Sequence, residues 1–232
     1  MIAVVLAGGE GRRLHPYTLT IPKPMMPVGE RPILERLVAQ LHRAGIDDLV
    51  FATGHLGEII RGHFGDGRAF GVSIRYSAEE RPLGTAGPLD LLRGVLDRTC
   101  LVVNGDILAD LDFRAIADEH RRMGSDATVV LARHVETVDF GVVGLDERGD
   151  VSSWSEKPVV ERLVSAGACV LEPTTLAYLA AGARTDLPDF LMSLVHAGLR
   201  VRGHVHRGYW LDIGRPADYE RACADAARVD PP

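Results

Sequence analysis

Along the first half of the chain, short apolar runs alternate with stretches whose apolar residues recur every three or four positions. "IAVVLA" (2–7) is continuous and rich in β-branched residues. Such a run predicts a strand covered on both faces, as in a parallel sheet. In 31–45, Ile33, Leu34, Leu37, Val38 and Leu41 share one helical face, with Pro32 at the start and Gly45 at the end. The same reading predicts strands at 48–53, 72–76, 100–106 and 127–132 and helices at 56–64, 87–96 and 112–124. Strands alternating with helices imply βαβ units.

After about residue 133 the rhythm changes. "FGVVGLDERGDVSSWSEKP" (140–158) predicts a hairpin turning at 146–150. A strand at 166–173, a helix at 187–198, a strand pair within 201–213 and a closing helix at 216–229 complete the pattern. No Ser/Gly/Pro-rich linker interrupts it. The expected architecture is α/β: one domain over 1–232, a mostly parallel mixed sheet flanked by helices, and a small β subregion in the second half.

Composition narrows the classes. The chain is 46% apolar and 25% charged, an ordinary globular balance. Its net charge of -6 and the absence of a basic run argue against a nucleic-acid partner. Cys100, Cys169 and Cys223 lie far apart, which argues against a zinc site or disulfide framework and suits a reducing cytoplasm. The N-terminal apolar run is too short for a signal sequence or membrane span, so no membrane partner is expected.

The chemistry concentrates in "LAGGEGRRLHPYTLTIPKP" (6–24). A glycine-rich turn after the first strand offers backbone N–H groups that can cradle phosphate oxygens. By itself such a turn is equally compatible with a tight strand-to-loop connection. It is neither a Walker loop nor the dinucleotide fingerprint. Arg12, Arg13 and Lys23 add three cations in an acidic protein. Pro22 and Pro24 flank Lys23, which makes a freely solvated lysine a poor reading of this position.

The pattern Leu6, Ala7, Gly8, Gly9, Gly11, Arg13, Leu14, Pro16, Thr18, Pro22, Lys23, Pro24 resembles the signature of the sugar-1-phosphate nucleotidyltransferases. "ERPLGTAGPL" (80–89) resembles that family's base- and ribose-binding loop, and "VNGD" (103–106) its metal-binding strand end. "FGVV" (140–143), "EKP" (156–158) and "SAGACVLEP" (165–173) resemble its sugar-phosphate segments. "YWLDIGRPADY" (209–219) resembles the segment with its second metal aspartate. The resemblance spans about residues 1–220 and is closest to short mannose-1-phosphate guanylyltransferase-like members. It implies a Rossmann-like nucleotidyltransferase domain that joins an NTP to a sugar-1-phosphate and releases pyrophosphate.

Carried onto this chain, the resemblance assigns catalysis to Arg13, Lys23 and Asp106. It assigns nucleotide binding to Leu6, Ala7, Gly8, Gly9, Gly11, Arg12, Arg13, Lys23, Glu79, Pro82, Gly84, Thr85, Gly87, Asn104 and Gly105. Sugar-phosphate binding falls to Gly141, Glu156, Lys157, Ser165 and Gly167, and Mg2+, with Mn2+ as a substitute, to Asp106 and Asp212. The family usually has Thr where this chain has Arg12, and often Asn where it has Ser165. No hexapeptide repeat follows the second metal motif, so no C-terminal β-helix domain is expected. A homo-oligomer is compatible with the sequence.

Glu79 bears on the base. A carboxylate only accepts hydrogen bonds, and guanine offers two adjacent donors, so GTP with a mannose- or heptose-type 1-phosphate is favoured. Uridylyl or thymidylyl transfer to a hexose-1-phosphate is the alternative. Asp110 and Asp112 form a D-x-D that would suit a glycosyltransferase metal site, but the apolar periodicity after Asp112 points to a helix N-cap. A non-catalytic homologue would be expected to lack some of Arg13, Lys23, Asp106 and Asp212, and all four are present.

Overall fold

In the computed structural model, which describes residues 1–79 and 81–226, the strands are β1 (Ile2–Ala7), β2 (Pro27–Val28), β3 (Arg31–Pro32), β4 (Asp48–Thr53), β5 (Ser73–Ala78), β6 (Cys100–Asn104) and β7 (Ile107–Ala109), followed by β8 (Ala127–Thr137), β9 (Val142–Leu145), β10 (Val151–Ser155), β11 (Val159–Leu171), β12 (Val201–His206) and β13 (Trp210–Asp212). The helices are α1 (Ile33–Arg43), α2 (Gly57–Phe64), α3 (Phe113–Met123), α4 (Leu187–His196) and α5 (Pro216–Ala224).

A seven-stranded sheet in the order β12-β8-β11-β6-β1-β4-β5 forms the centre. Only β11 runs against the others, pairing antiparallel with both β6 and β8. The mostly parallel mixed sheet is thus as expected. β1 shows why its sequence is apolar throughout. Ala3, Val5 and Ala7 join one core with Leu34, Leu37, Val38 and Leu41 of α1. Ile2 and Val4 join the opposite core with Phe190, Leu191 and Leu194 of α4. Period-two side chains therefore enter an apolar layer on each face.

A third, smaller cluster lies away from the main layers. It unites Leu14, Val28, Ile33, Leu108, Leu211 and Ile213. Leu14 comes from the glycine stretch, Leu108 lies two residues after Asp106, and Leu211 and Ile213 flank Asp212, so this cluster draws those three segments together with 28–33.

Several boundaries differ from the sequence expectation. The 87–96 helix reduces to a 3-10 segment, Gly87–Leu92. Its Leu89 and Arg93 amides reach back three residues, to Ala86 and Asp90. At its start the Ala86 and Gly87 amides, which no helical turn would use, both donate to the Thr185 carbonyl. The two strands in 201–213 do not pair with each other. β12 adds to β8, and β13 pairs with β7. Leu211 and Ile213 bury in the third cluster, which draws β13 away from the sheet edge.

β8 and β11 run well beyond 127–132 and 166–173. Their extra residues pair with one another from Val159–Thr137 to Leu163–Arg133. Residues 133–137 are exposed on both faces, which removes the alternation that marks a half-buried strand. β9 and β10 form the hairpin expected at 140–158, turning at Asp146–Asp150. The closing helix ends at Ala224, and 227–229 lie outside the described residues.

Asp112 does cap α3, its side chain accepting from the Ala115 amide at 2.9 Å. Asp112→Ala should cost ~1 kcal/mol, lowering Tm by ~2–4 °C for a chain of this size. Asp112→Asn should restore most of it. A thermal melt checks both, and an unchanged Tm for the alanine variant would refute the cap.

Candidate active site

The glycine loop starts where β1 and β4 end side by side. A Cβ on Gly8 would lie 2.9 Å from Glu79 Oε1 and 3.2 Å from the Gly54 nitrogen. Gly11 has φ 63°, and a Cβ there would lie 2.9 Å from Thr18 Cγ2. Thr18 is fully buried and its hydroxyl donates to the Gly11 carbonyl at 2.8 Å. A Cβ on Gly9 would meet nothing within 4 Å. Gly8 and Gly11 thus serve packing and backbone conformation, whereas Gly9 faces open space.

Leu14 then buries in the third cluster, and this leaves Arg12 and Arg13 at the surface of the loop. Arg12 Nε sits 2.5 Å from Glu10 Oε2. That hydrogen bond and charge hold the Glu10 carboxyl below its usual range and push the Arg12 guanidinium up.

Lys23 is buried, with 7% of its surface exposed, between buried Pro22 and Pro24. Its Nζ lies 2.5 Å from Asp106 Oδ2 and 3.7 Å from Asp212 Oδ1. A buried ammonium needs such partners, because desolvation without them is prohibitive. Two ladders place the aspartates. The Gly105 amide donates to the Leu6 carbonyl at 2.8 Å, which fixes the end of β6 against β1. In the β7–β13 pair, Asp212 stands opposite Ile107, the residue after Asp106.

Arg13 completes the group. A Cβ on Gly214 would lie 3.0 Å from Arg13 Nη1 and 3.4 Å from Asp212 Oδ2. A cavity of about 250 Å³ opens here, lined by Leu6, Ala7, Gly9, Gly11, Arg12, Arg13, Lys23 and Asp106, all predicted. Leu14, Pro24 and Gly214 also line it and were not assigned a binding role from sequence. Their signal was their place in the same motifs, "RRL", "PKP" and "DIG".

The residues expected to receive the base reach the glycine loop through Glu79, beside Gly8. Glu79 Oε2 accepts the Leu83 amide at 2.8 Å, and Oε1 abuts Gly8. Burial raises the Glu79 carboxyl pKa, and the Leu83 hydrogen bond partly offsets that. Pro82, Gly84, Thr85 and Gly87 follow, bonded to residues 185–187 through Thr85 and Gly87. That partner segment carried no sequence signal, because the contact is about 100 residues distant.

The residues that the resemblance assigns to the sugar-phosphate form two groups. A Cβ on Gly167, at φ 78°, would lie 2.9 Å from Asn104 Nδ2, and the Gly167 amide donates to Ser165 Oγ at 3.4 Å. Here β11 shifts register between Ser165 and Cys169, and Trp210 donates Nε1–H to the Ala166 carbonyl at 3.1 Å. Gly141, Glu156 and Lys157 sit instead at the base of the β9–β10 hairpin. A Cβ on Gly141 would lie 3.0 Å from Glu156 Oε2, and Lys157 holds φ 45°, rare for a residue with a side chain. None of these five residues lines the 250 Å³ cavity.

The other candidate chemistries are engaged elsewhere. Asp110 pairs with His206 at 2.8 Å and Asp112 caps α3, so both carboxylates of the D-x-D already have partners. Burial pushes the Cys100 thiol up to about 12 and raises that of Cys169 as well. Among the described residues, no three His, Cys, Asp or Glu side chains cluster as a metal set. No helix among them is long and apolar enough to cross a membrane.

A glycine loop at the carboxyl edge of a parallel sheet, with a lysine and two aspartates beneath it, defines a class of phosphate-handling α/β proteins. The chain belongs to the nucleotidyl transferase family, whose model matches residues 2–228. It is 36% identical to a mannose-1-phosphate guanylyltransferase of Mycobacterium tuberculosis over 97% of this chain and 64% of that one. It is 35% identical to a UTP–glucose-1-phosphate uridylyltransferase of Synechocystis over 96% of this chain and 62% of that one. The chain therefore spans less than two thirds of either relative. A Bacillus anthracis protein provisionally named a glucose-1-phosphate thymidylyltransferase, solved with sucrose, superposes with a TM-score of 0.79 at 27% identity. That match covers 99% of this chain and 97% of the other.

The glycines offer a test of the loop. Gly11→Ala should destabilise by about 1–2 kcal/mol, the penalty for a left-handed residue with a Cβ. Gly9→Ala, with open space around it, should be near neutral. Urea unfolding measures both, and equal losses at the two positions would contradict this loop conformation.

Proposed function

We propose that the protein is a sugar-1-phosphate nucleotidyltransferase. An oxygen of the sugar phosphate attacks the α-phosphorus of an NTP, the bond to the bridging oxygen breaks, and pyrophosphate leaves as an NDP-sugar forms. The observation that carries this reading is the buried Lys23 ammonium between Asp106 and Asp212 beneath the glycine loop. The names of the family and its relatives support the same class.

The attacking oxygen is already anionic, so no side chain need remove a proton or form a covalent bond. The raised Cys100 and Cys169 thiols agree with that economy. Positioning and charge neutralisation remain. Lys23 meets the α-phosphate as a point charge, and Arg13, beside Gly214, grips the leaving pyrophosphate with its planar fork. The open backbone at Gly9 lets phosphate oxygens approach the loop. Lys157 would hold the phosphate of the sugar-1-phosphate, and Glu156 a sugar hydroxyl.

Two carboxylates converging on one cation, both partly open to solvent, make a hard-oxygen donor set that suits Mg2+ or Mn2+. Asp106 and Asp212 would hold the ion, which supplies neutralisation of phosphate charge. We place the enzyme in the cytoplasm, whose reducing conditions suit the free Cys100, Cys169 and Cys223, and as a candidate homo-oligomer.

For the base we propose guanine. Among the described residues Glu79 Oε1 has no hydrogen-bond donor, and Oε2 keeps a second lone pair beside the Leu83 bond. The Leu83 contact favours the second reading, uridylyl or thymidylyl transfer, because a carboxylate already engaged can meet one base donor. The relatives at 36% and 35% identity do not choose between guanylyl and uridylyl transfer.

The test is pyrophosphate release from each NTP with a panel of sugar-1-phosphates. Lys23→Ala should lower turnover by about two orders of magnitude or more. Asp106→Asn, Asp212→Asn or excess chelator should abolish it, and Mg2+ should raise Tm in the wild type but not in the aspartate variants. Full turnover in chelator would remove the metal from the reading.

Glu79→Gln should narrow the ratio of kcat/KM for GTP over UTP, since glutamine presents both a donor and an acceptor. An unchanged ratio would show that Glu79 does not contact the base.

A further inference from the structure

The base loop is held by a segment that lies far from it in sequence and carries no family motif. Asp186 occupies the N-cap position of α4, yet its side chain bonds no amide of its own helix. Its Oδ1 instead accepts the Thr85 amide at 3.2 Å. Thr85 returns the contact, its Oγ1 accepting the amide of Leu187, the first residue of α4, at 2.6 Å. The caps are thus crossed. A threonine from the base loop satisfies the helix start, and the helix cap satisfies the base loop.

Neighbouring contacts extend the clasp in both directions. The Thr185 amide donates to the Leu83 carbonyl at 2.9 Å, and the Thr185 carbonyl accepts from Ala86 and Gly87 at 2.9 and 3.1 Å. Arg81 Nη2 donates to the Gly182 carbonyl at 2.9 Å. Between them Gly84 holds φ 81°, and a Cβ there would lie 2.5 Å from the Thr185 carbonyl oxygen and 2.7 Å from Asp186 Oδ1. At the other end, the Leu83 amide is the one that Glu79 accepts. Two carboxylates, Glu79 and Asp186, therefore fix two amides of one short loop, those of Leu83 and Thr85 on either side of Gly84. Only Glu79 faces the glycine loop.

We infer that Asp186 is a positioning residue for the nucleotide. Through Thr85 it sets the backbone of residues 83–87, and so the place where the base is received. This rests on the proposed reading of 79–87 as the nucleotide-binding loop. Asp186 acts on the bound nucleotide only through that loop, so its removal is expected to alter nucleotide binding and leave the transfer step alone. A purely structural cap on α4 would instead change stability and every kinetic constant together.

The experiment compares wild type, Asp186→Ala and Asp186→Asn by fluorescent mant-GTP and mant-UTP binding, steady-state kinetics and amide hydrogen exchange. Asp186→Ala should weaken nucleotide binding about tenfold, the size expected for one lost charge-assisted hydrogen bond. Its kcat and its KM for sugar-1-phosphate should stay within about twofold, and the 83–87 amides should exchange faster. Asp186→Asn keeps an acceptor at Oδ1 and should recover most of the affinity. Thr85→Val combined with Asp186→Ala should lose less than the product of the two single effects, because both break one clasp.

Unchanged nucleotide affinity in Asp186→Ala, or equal losses in kcat and both KM values, would overturn the inference. So would an Asn variant as weak as the Ala one, or a wild type that binds neither nucleotide. A wild type that binds nucleotide and shows the Asp186 effect, yet transfers nothing, would sink the proposed reaction alone.

Discussion

A lysine ammonium buried between two carboxylates is the interaction around which the edge of this molecule is arranged. Lys23, Asp106 and Asp212 come from three distant parts of the chain. Each would be unfavourable there alone, the lysine because it is buried and the aspartates because like charges repel at close range. Together they are stable only while three things hold. β6 must end level with β1, β13 must pair with β7, and Leu14, Leu108, Leu211 and Ile213 must share one apolar cluster. The third cluster is therefore small in size but large in consequence.

The geometry also gives the site a division of labour. The 250 Å³ cavity is built on strand ends and buried prolines packed against the core. Residues 83–87 are suspended between the Glu79 side chain and the segment leading into α4 by hydrogen bonds to their backbone. Gly141, Glu156 and Lys157 sit on the hairpin that projects from the sheet, where Trp154 and Phe140 are 67% and 77% exposed. Under the proposed reading, a rigid cavity stands beside loops held mainly by backbone hydrogen bonds.

Much of this was legible in the sequence because the relevant signals are local. A six-residue apolar run announces a doubly covered strand. Asp112 followed by a periodic stretch announces a cap, and a lysine between prolines announces a held charge rather than a solvated one. The cavity residues of the glycine stretch lie within eighteen positions of one another, so one motif could name most of them. The expected helix at 87–96 is instead a short 3-10 segment whose start is anchored through the Ala86 and Gly87 amides to Thr185, a contact that no local pattern reveals.

By itself, then, the sequence determined the alternation of elements, the sheet class and the inventory of charged groups around the glycine loop, since each follows from periodicity or from a compact motif. Tertiary structure alone decided what those groups do to each other. That Lys23 spans both aspartates depends on the register of β7 against β13. That Glu79 meets Gly8 depends on the parallel register of β1, β4 and β5. That Thr85 and Asp186 exchange caps depends on where α4 packs against the sheet. Register and packing are set by the summed burial of many side chains, and no short stretch of residues carries that sum.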